Sequence, residues 1–199
     1  MLYIFGKGGY SVEVLDLVKR CQASQEYCFI DDNYNNQNDV LARRQLKQIY
    51  KKSDRLIVAV GNPAIRKEIA DWAKSNNYGL QKFIDPTAIL GADSVIGYGT
   101  LIFPFSSISS LTSIGNNCII NWSTNVGHHV EIGDNSFISS KVNIGGGCKI
   151  GDSCLLGMGA LIREGVTIGN NSTVGMGSVV FRDIPSGSKV IGNPARITK

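Results

Sequence analysis

Histidine is almost missing from this chain. Its 199 residues hold two, His128 and His129, side by side. A metal centre built from three converging imidazoles has too few ligands here, and no metal is expected. Cysteine is sparse as well: five, an odd number, in no recognisable disulfide framework. That count suits a reducing cytoplasm. Charge of one sign is weak, with 20 Lys and Arg against 16 Asp and Glu, a net of +4 spread along the chain. So mild a balance does not argue for nucleic acid. No apolar run approaches the roughly 20 residues that cross a bilayer. The opening Met1-Leu2-Tyr3-Ile4-Phe5-Gly6 has neither the basic lead nor the cleavage site of a signal peptide.

What the chain does have is a strict repeat. Every sixth residue from Ile96 to Val180 is Ile, Leu or Val: Ile96, Ile102, Ile108, Ile114, Ile120, Val126 and onward without a break. Four places after each comes a small or β-branched residue, among them Thr100, Thr112, Cys118, Cys148, Cys154 and Ser172. This period matches neither a 3.6-residue helix nor an alternating strand. It fits a two-residue strand and a turn, repeated, with three units closing one triangular coil. The aliphatic and the small residue both point inward, so Cys118, Cys148 and Cys154 are expected as buried small hydrophobes. Gly and Asn at the turns tolerate positive φ. Fifteen units predict a parallel β-helix of about five coils, stacked roughly 4.8 Å apart.

Residues 1–82 follow another rule. Leu2–Phe5, Tyr27–Ile30 and Arg55–Val60 read as strands. Val12–Cys21, Val40–Tyr50 and the segment from Pro63 to Lys74 read as helices, and Leu80–Ile84 as a last strand. The alternation predicts a small parallel α/β sheet, half of a Rossmann-like unit, over 1–82, with the β-helix over 83–199. Three turns fall at strand C-terminal ends, where open parallel sheets bind ligands. They are Gly6-Lys7-Gly8-Gly9-Tyr10, Asp31-Asp32 and Gly61-Asn62. The first lacks the last glycine of a dinucleotide fingerprint, and Ser11 stands there. Some 80 residues are too few for a nicotinamide cofactor; a nucleotide-sized ligand fits better.

In the repeat, His128 and His129 occupy a turn and are expected to project outward. Eighteen residues on, one coil along, is Gly146 in the run Gly145-Gly146-Gly147. That leaves a shelf free of side chains for a narrow ligand arm. Met158 and Met176, also eighteen apart, are expected to stack and line a strip for the same arm.

Taken together, Gly6-Lys7-Gly8-Gly9, Phe29-Ile30-Asp31-Asp32, Val60-Gly61-Asn62-Pro63-Ala64-Ile65-Arg66-Lys67, the hexads and Ile191-Gly192-Asn193-Pro194-Ala195-Arg196 resemble one family over nearly the whole chain. It is the left-handed β-helical hexapeptide sugar acyltransferases, typified by the UDP-4-amino-sugar N-acetyltransferase of bacillosamine synthesis and by sialic-acid O-acetyltransferases. The resemblance implies a cytoplasmic homotrimer in glycan biosynthesis, with acetyl-CoA between adjacent β-helices. It implies a nucleotide sugar held by Gly8, Gly9, Tyr10, Asp31, Asp32 and Gly61. It makes His128 the catalytic base and puts Phe137, Gly146, Met158 and Met176 on the coenzyme path. Two positions depart from the family. His129 stands where an Asp or Glu usually follows the base, and Phe137 where a second histidine often lies. A backbone N–H of the Gly145–Gly147 run is a candidate oxyanion donor. The expected reaction is acetyl transfer to the amine of a nucleotide-linked sugar. O-acetylation of a sialic-type sugar and a non-catalytic repeat scaffold are the alternatives; a scaffold needs neither the histidine pair nor the glycine shelf.

Overall fold

The computed structural model describes residues 1–22, 24–33 and 40–198. The chain opens with a small head. Its elements are β1 (Leu2–Phe5), α1 (Tyr10–Cys21), β2 (Tyr27–Ile30), β3 (Val40–Leu41), α2 (Arg43–Ile49), β4 (Arg55–Val58) and α3 (Pro63–Ser75). The four strands form one parallel sheet in the order β3-β2-β1-β4. The central strands β1 and β4 are buried by helices: Val14, Leu17 and Val18 of α1 on one side, Ile69 and Ala73 of α3 on the other. Burying an aliphatic side chain of this size contributes about 1.5–3 kcal/mol. α3 starts sharply because the Asn62 carbonyl oxygen Oδ1 accepts the N–H groups of Ala64 (3.0 Å) and Ile65 (3.3 Å). Pro63 fills the first helical position, where no N–H is needed.

Two expectations need correction. Val40–Tyr50 is not one helix; Val40–Leu41 joins the sheet beside β2 before α2 begins. The β-branched Val40 is buried there as the edge strand closes. Leu80–Ile84 is not a strand of the head. Leu80 makes a single bridge to Leu56, and Phe83–Ile84 pairs with Leu101–Ile102 as the first strand of the next unit.

That unit is a three-faced prism of two-residue parallel strands. The first face carries Phe83–Ile84, Leu101–Ile102, Ile119–Ile120, Phe137–Ile138, Leu155–Leu156 and Thr173–Val174, then Lys189–Ile191 and the antiparallel Arg196–Ile197. The second runs from Ile89–Leu90 to Val179–Val180, and the third from Val95–Ile96 to Thr167–Ile168. Register is eighteen through the hexad series, as in Ile120 opposite Ile138 and Val126 opposite Ile144, and shortens to sixteen where Val174 meets Val190. The stack has about six turns rather than five, because Ile84 and Leu90 extend the series one coil earlier than Ile96.

At each edge the third residue after the inward aliphatic takes a left-handed backbone, from Asp93 (φ 57) to Asn171 (φ 58). Phe105, Leu111, His129 and Lys141 accept that conformation without being glycine. The inward small residues do more than fill space. Thr100, Thr112, Thr124 and Ser136 donate their hydroxyls to carbonyl oxygens fifteen residues on, at 2.7–2.9 Å. The thiols of Cys118, Cys148 and Cys154 do the same at 3.0–3.2 Å. Burial pushes the Cys118 thiol up to about 12, so it stays a protonated donor. Between the third and first faces, Asn116, Asp134, Asp152 and Asn170 form a second ladder. Each Oδ1 accepts the N–H of the residue eighteen before it.

Head and prism share a core. Ile4, Leu17 and Ala59 pack with Phe83, Leu101, Phe103, Ile119 and Phe137 of the first face. The Arg20 guanidinium of α1 pairs with Asp85 at 2.5 Å where the prism begins. The head therefore covers the first face, and the edge between the second and third faces lies opposite it.

Candidate functional site

The glycine turn after β1 is imposed by its surroundings. Gly6 has φ +100, and a Cβ there would meet Val60 Cγ2 at 2.9 Å and the Ala59 carbonyl at 3.0 Å. The turn is tied to the end of β2: Lys7 N–H donates to Asp31 Oδ2 at 2.9 Å, and Asn33 N–H to Oδ1 at 3.0 Å. Ser11 supports it from within, donating its hydroxyl to the Gly8 carbonyl at 2.7 Å. These turns and the Ala59-Val60-Gly61 segment that follows β4 line a cleft of about 620 Å³. Gly8, Gly9, Tyr10, Asp31, Asp32 and Gly61 all line it, so six residues expected at a ligand site meet in one place.

Arg43 also lines this cleft, and the sequence patterns did not single it out. Its N–H and guanidinium reach Asp32 at 2.8 and 3.1 Å, and Glu68 lies 3.2 Å away. The guanidinium lies over the rings of Phe5 (4.9 Å) and Trp72 (5.1 Å). A cation stacked on two aromatic faces is held in place. It gives the cleft a fixed positive group beside its two aspartates.

Tyr10 closes the cleft toward the prism. Its ring stands edge-on to Phe137 at 5.5 Å and tilted against Phe103 at 6.1 Å. Burial pushes its phenol above the usual range, and its hydroxyl has no partner among the described residues. Behind it lies Arg66, fully buried and also not singled out. All five of its N–H groups are used on neutral acceptors: Asn117 O at 3.1 and 2.5 Å, Asn117 Oδ1 at 2.8 Å, Val58 O at 2.8 Å and Val60 O at 3.0 Å. Burial lowers its pKa to about 10. Its side chain therefore binds the strand end that carries Gly61 to an edge of the prism.

The histidine pair sits on the edge opposite the head, between the second and third faces, with both side chains exposed. No side chain separates His128 from the next coil. A Cβ on Gly146 would lie 2.7 Å from its Cε1 and Nε2. Gly147 N–H donates to the His128 carbonyl at 2.8 Å, locking the two coils together. The spacing predicted Gly146 one coil from His128 but kept that shelf for a ligand arm; the imidazole itself rests on the glycine floor.

The other expected residues lie elsewhere. Met158 and Met176 stack on the edge between the first and second faces; Gly177 N–H donates to Met158 O at 2.8 Å. They are 57% and 74% exposed, which leaves an open apolar strip. Within one chain they share the second face with His128 only as its two opposite borders. Phe137 joins neither. It is 9% exposed and lies under the head, 3.5 Å from where a Gly61 Cβ would be.

Comparison with known proteins follows the same division. The model of the PglD N-terminal domain matches residues 1–73, and that of the bacterial transferase hexapeptide (six repeats) matches residues 147–182. Solved structures match the entire chain. PerB from Caulobacter crescentus, in complex with CoA and GDP-perosamine, is 28% identical with a TM-score of 0.93; the alignment covers 100% of this chain and 97% of that one. The acetyltransferase domain of PglB from Neisseria gonorrhoeae is 28% identical, TM-score 0.92, over 99% and 98% of the two chains. WeeI from Acinetobacter baumannii is 26% identical, TM-score 0.94, over 100% and 99%. The prism is the left-handed parallel β-helix of such acetyltransferases.

Proposed function

We propose that this chain, which belongs to the bacillosamine-type family of hexapeptide-repeat sugar acetyltransferases, moves an acetyl group from acetyl-CoA to the amine of a nucleotide-linked amino sugar. The observation that carries this reading is the His128 imidazole standing on the bare backbone of Gly146. Only the neutral fraction of a sugar amine carries the lone pair that attacks, and as the C–N bond forms its nitrogen must shed a proton. A neutral imidazole, with a lone pair on one ring nitrogen, is suited to take it. In the reaction the amine nitrogen attacks the thioester carbonyl as His128 accepts the proton. The C–S bond breaks, and the coenzyme A thiolate takes the proton back from the imidazolium. Gly145 and Gly147 give their N–H groups to Ile162 O and His128 O. We assign the oxyanion to the remaining N–H of that glycine run, Gly146.

The acceptor is assigned to the head. The 620 Å³ cleft has room for a nucleoside diphosphate and part of a sugar. Arg43 and the N-terminal turn of α1 favour its negative charge. We take the nucleotide as UDP, as the family resemblance implies; PerB has been solved with a GDP-linked sugar. His128 lies on the edge opposite the head, so its own cleft is on the wrong side of the prism. A second copy must bring its cleft to that edge. A homotrimer satisfies this, with the coenzyme running between prisms past Met158 and Met176. Phe137, beside Gly61, then borders the acetyl end of a coenzyme held against a neighbouring copy.

The test is thiol release from acetyl-CoA with UDP-, GDP- and dTDP-linked 4-amino sugars and free sialic acids as acceptors. We expect release only with an amino sugar, and thermal stabilisation by UDP above GDP and dTDP. Release with sialic acids alone would shift the reading to O-acetylation. No release with any acceptor would favour a binding role.

A further inference from the structure

His129 follows His128 directly, where the resemblance implies a carboxylate. The two rings stand nearly perpendicular, at 88° with centroids 5.2 Å apart. Their Nδ1 atoms are 3.0 Å from each other. The other side of the His128 ring, Cε1 and Nε2, lies over Gly146. The two nitrogens of His128 are therefore divided between a neighbouring imidazole and the glycine floor.

We infer that His129 is the positioning residue of this site, an imidazole doing the work of the usual carboxylate by fixing which nitrogen of His128 bears the proton. The inference rests on the reading of His128 as the base. Two imidazole nitrogens at 3.0 Å bond only when one carries a hydrogen and the other a lone pair. With the hydrogen on His128 Nδ1, donated to His129 Nδ1, the Nε2 of neutral His128 is a lone pair facing the glycine floor. That is the tautomer a base needs. When Nε2 takes the proton of the substrate amine, the Nδ1–H bond to neutral His129 becomes charge-assisted and strengthens. No net proton passes to His129; it remains an acceptor throughout.

Backbone geometry keeps His129 in this position. Its φ is 56, in the left-handed corner of the coil, and its N–H donates to Ser110 O at 3.3 Å. A protonated His129 has a hydrogen on Nδ1 and cannot accept. His128 must then accept from it, which in its neutral form puts a proton on Nε2 and removes the base. A proton added to either ring therefore leaves the pair without a base. The charged groups nearby are Glu131, paired with Lys149 at 3.3 Å on the third face, and Arg163 and Glu164 two coils along the same edge.

The test compares variants by kcat and by the pH profile of kcat/KM, with His128→Ala as the baseline. His129→Gly accepts φ 56 without strain and removes the acceptor. We expect kcat to fall about 10- to 100-fold, with KM for both substrates unchanged. His129→Asp tolerates the same backbone and restores an acceptor. We expect it to recover kcat at high pH, with its acid limb moved above that of the unmodified protein, since a carboxylate beside an imidazole favours the protonated ring. If His129→Gly keeps full kcat, or His129→Asp leaves the acid limb in place, His129 has no such role. If His128→Ala is fully active, it is the assignment of the base that fails instead.

Discussion

Arg66 and Asn117 hold each other in both directions. The Arg66 guanidinium donates to Asn117 Oδ1 at 2.8 Å, and Asn117 Nδ2 returns a hydrogen bond to the Arg66 carbonyl at 3.1 Å. One residue belongs to the head and the other to an edge of the prism, fifty-one positions along the chain. Among the described residues no carboxylate pairs with this buried cation; its charge is spread over carbonyl dipoles.

Arg66→Met should remove the clamp and leave those carbonyls without donors. Losing such a buried network costs roughly 3 kcal/mol, read as a lower denaturation midpoint. Because Val60 and Gly61 wall the cleft, KM for the nucleotide sugar should rise while KM for acetyl-CoA stays. Parallel rises in both would place the effect outside the cleft.

Gly146 and Gly147 are neighbours with opposite sensitivities. An alanine Cβ at 146 enters the space of the His128 ring, whereas one at 147 meets nothing within 4 Å but must adopt φ +69. Gly146→Ala should therefore cut kcat with little loss of melting temperature. Gly147→Ala should lower stability by about 1 kcal/mol and spare kcat. Steady-state rates and thermal melts on the two proteins check this.

The Asp85 carboxyl is held at about 2, chiefly by the Arg20 hydrogen bond, against burial that raises it, with help from the Thr87 hydroxyl and N–H. Its folded value lies below the ordinary carboxylate value near 3.9. The stabilisation is thus complete above that ordinary value and is lost as pH falls from about 4 toward 2. Melting temperature followed from pH 6 to pH 2 should drop less steeply for Asp85→Asn than for the unmodified protein.

Cys118 shares its slot with threonines that make the same bond: Thr100 donates to Gly115 O as Cys118 does to Gly133 O. Cys118→Thr should be tolerated, while Cys118→Val should cost about 1 kcal/mol, the worth of one buried hydrogen bond. Denaturant midpoints for the pair decide it.

The parts legible in the sequence are those the coil repeats. Stacking at eighteen residues places His128 beside Gly146 and Met158 beside Met176, so the spacing alone predicted those contacts. The cleft residues were legible because strand ends with glycine or aspartate are few. Arg66 and Arg43 were not, since each acts through contacts that no period relates. Cys118, Cys148 and Cys154 read as hydrophobes because spacing reports size and not the direction of an S–H. Nor did periodicity show which edges bear His128 and the methionines, because assigning edges requires knowing which face the head covers.

The central claim is that one imidazole takes the proton. Thiol release from acetyl-CoA, measured with the preferred amino sugar for the unmodified and His128→Ala proteins, tests it most directly. We predict a fall in kcat of about 10²- to 10⁴-fold with only a modest change in KM. Undiminished turnover by His128→Ala would contradict it.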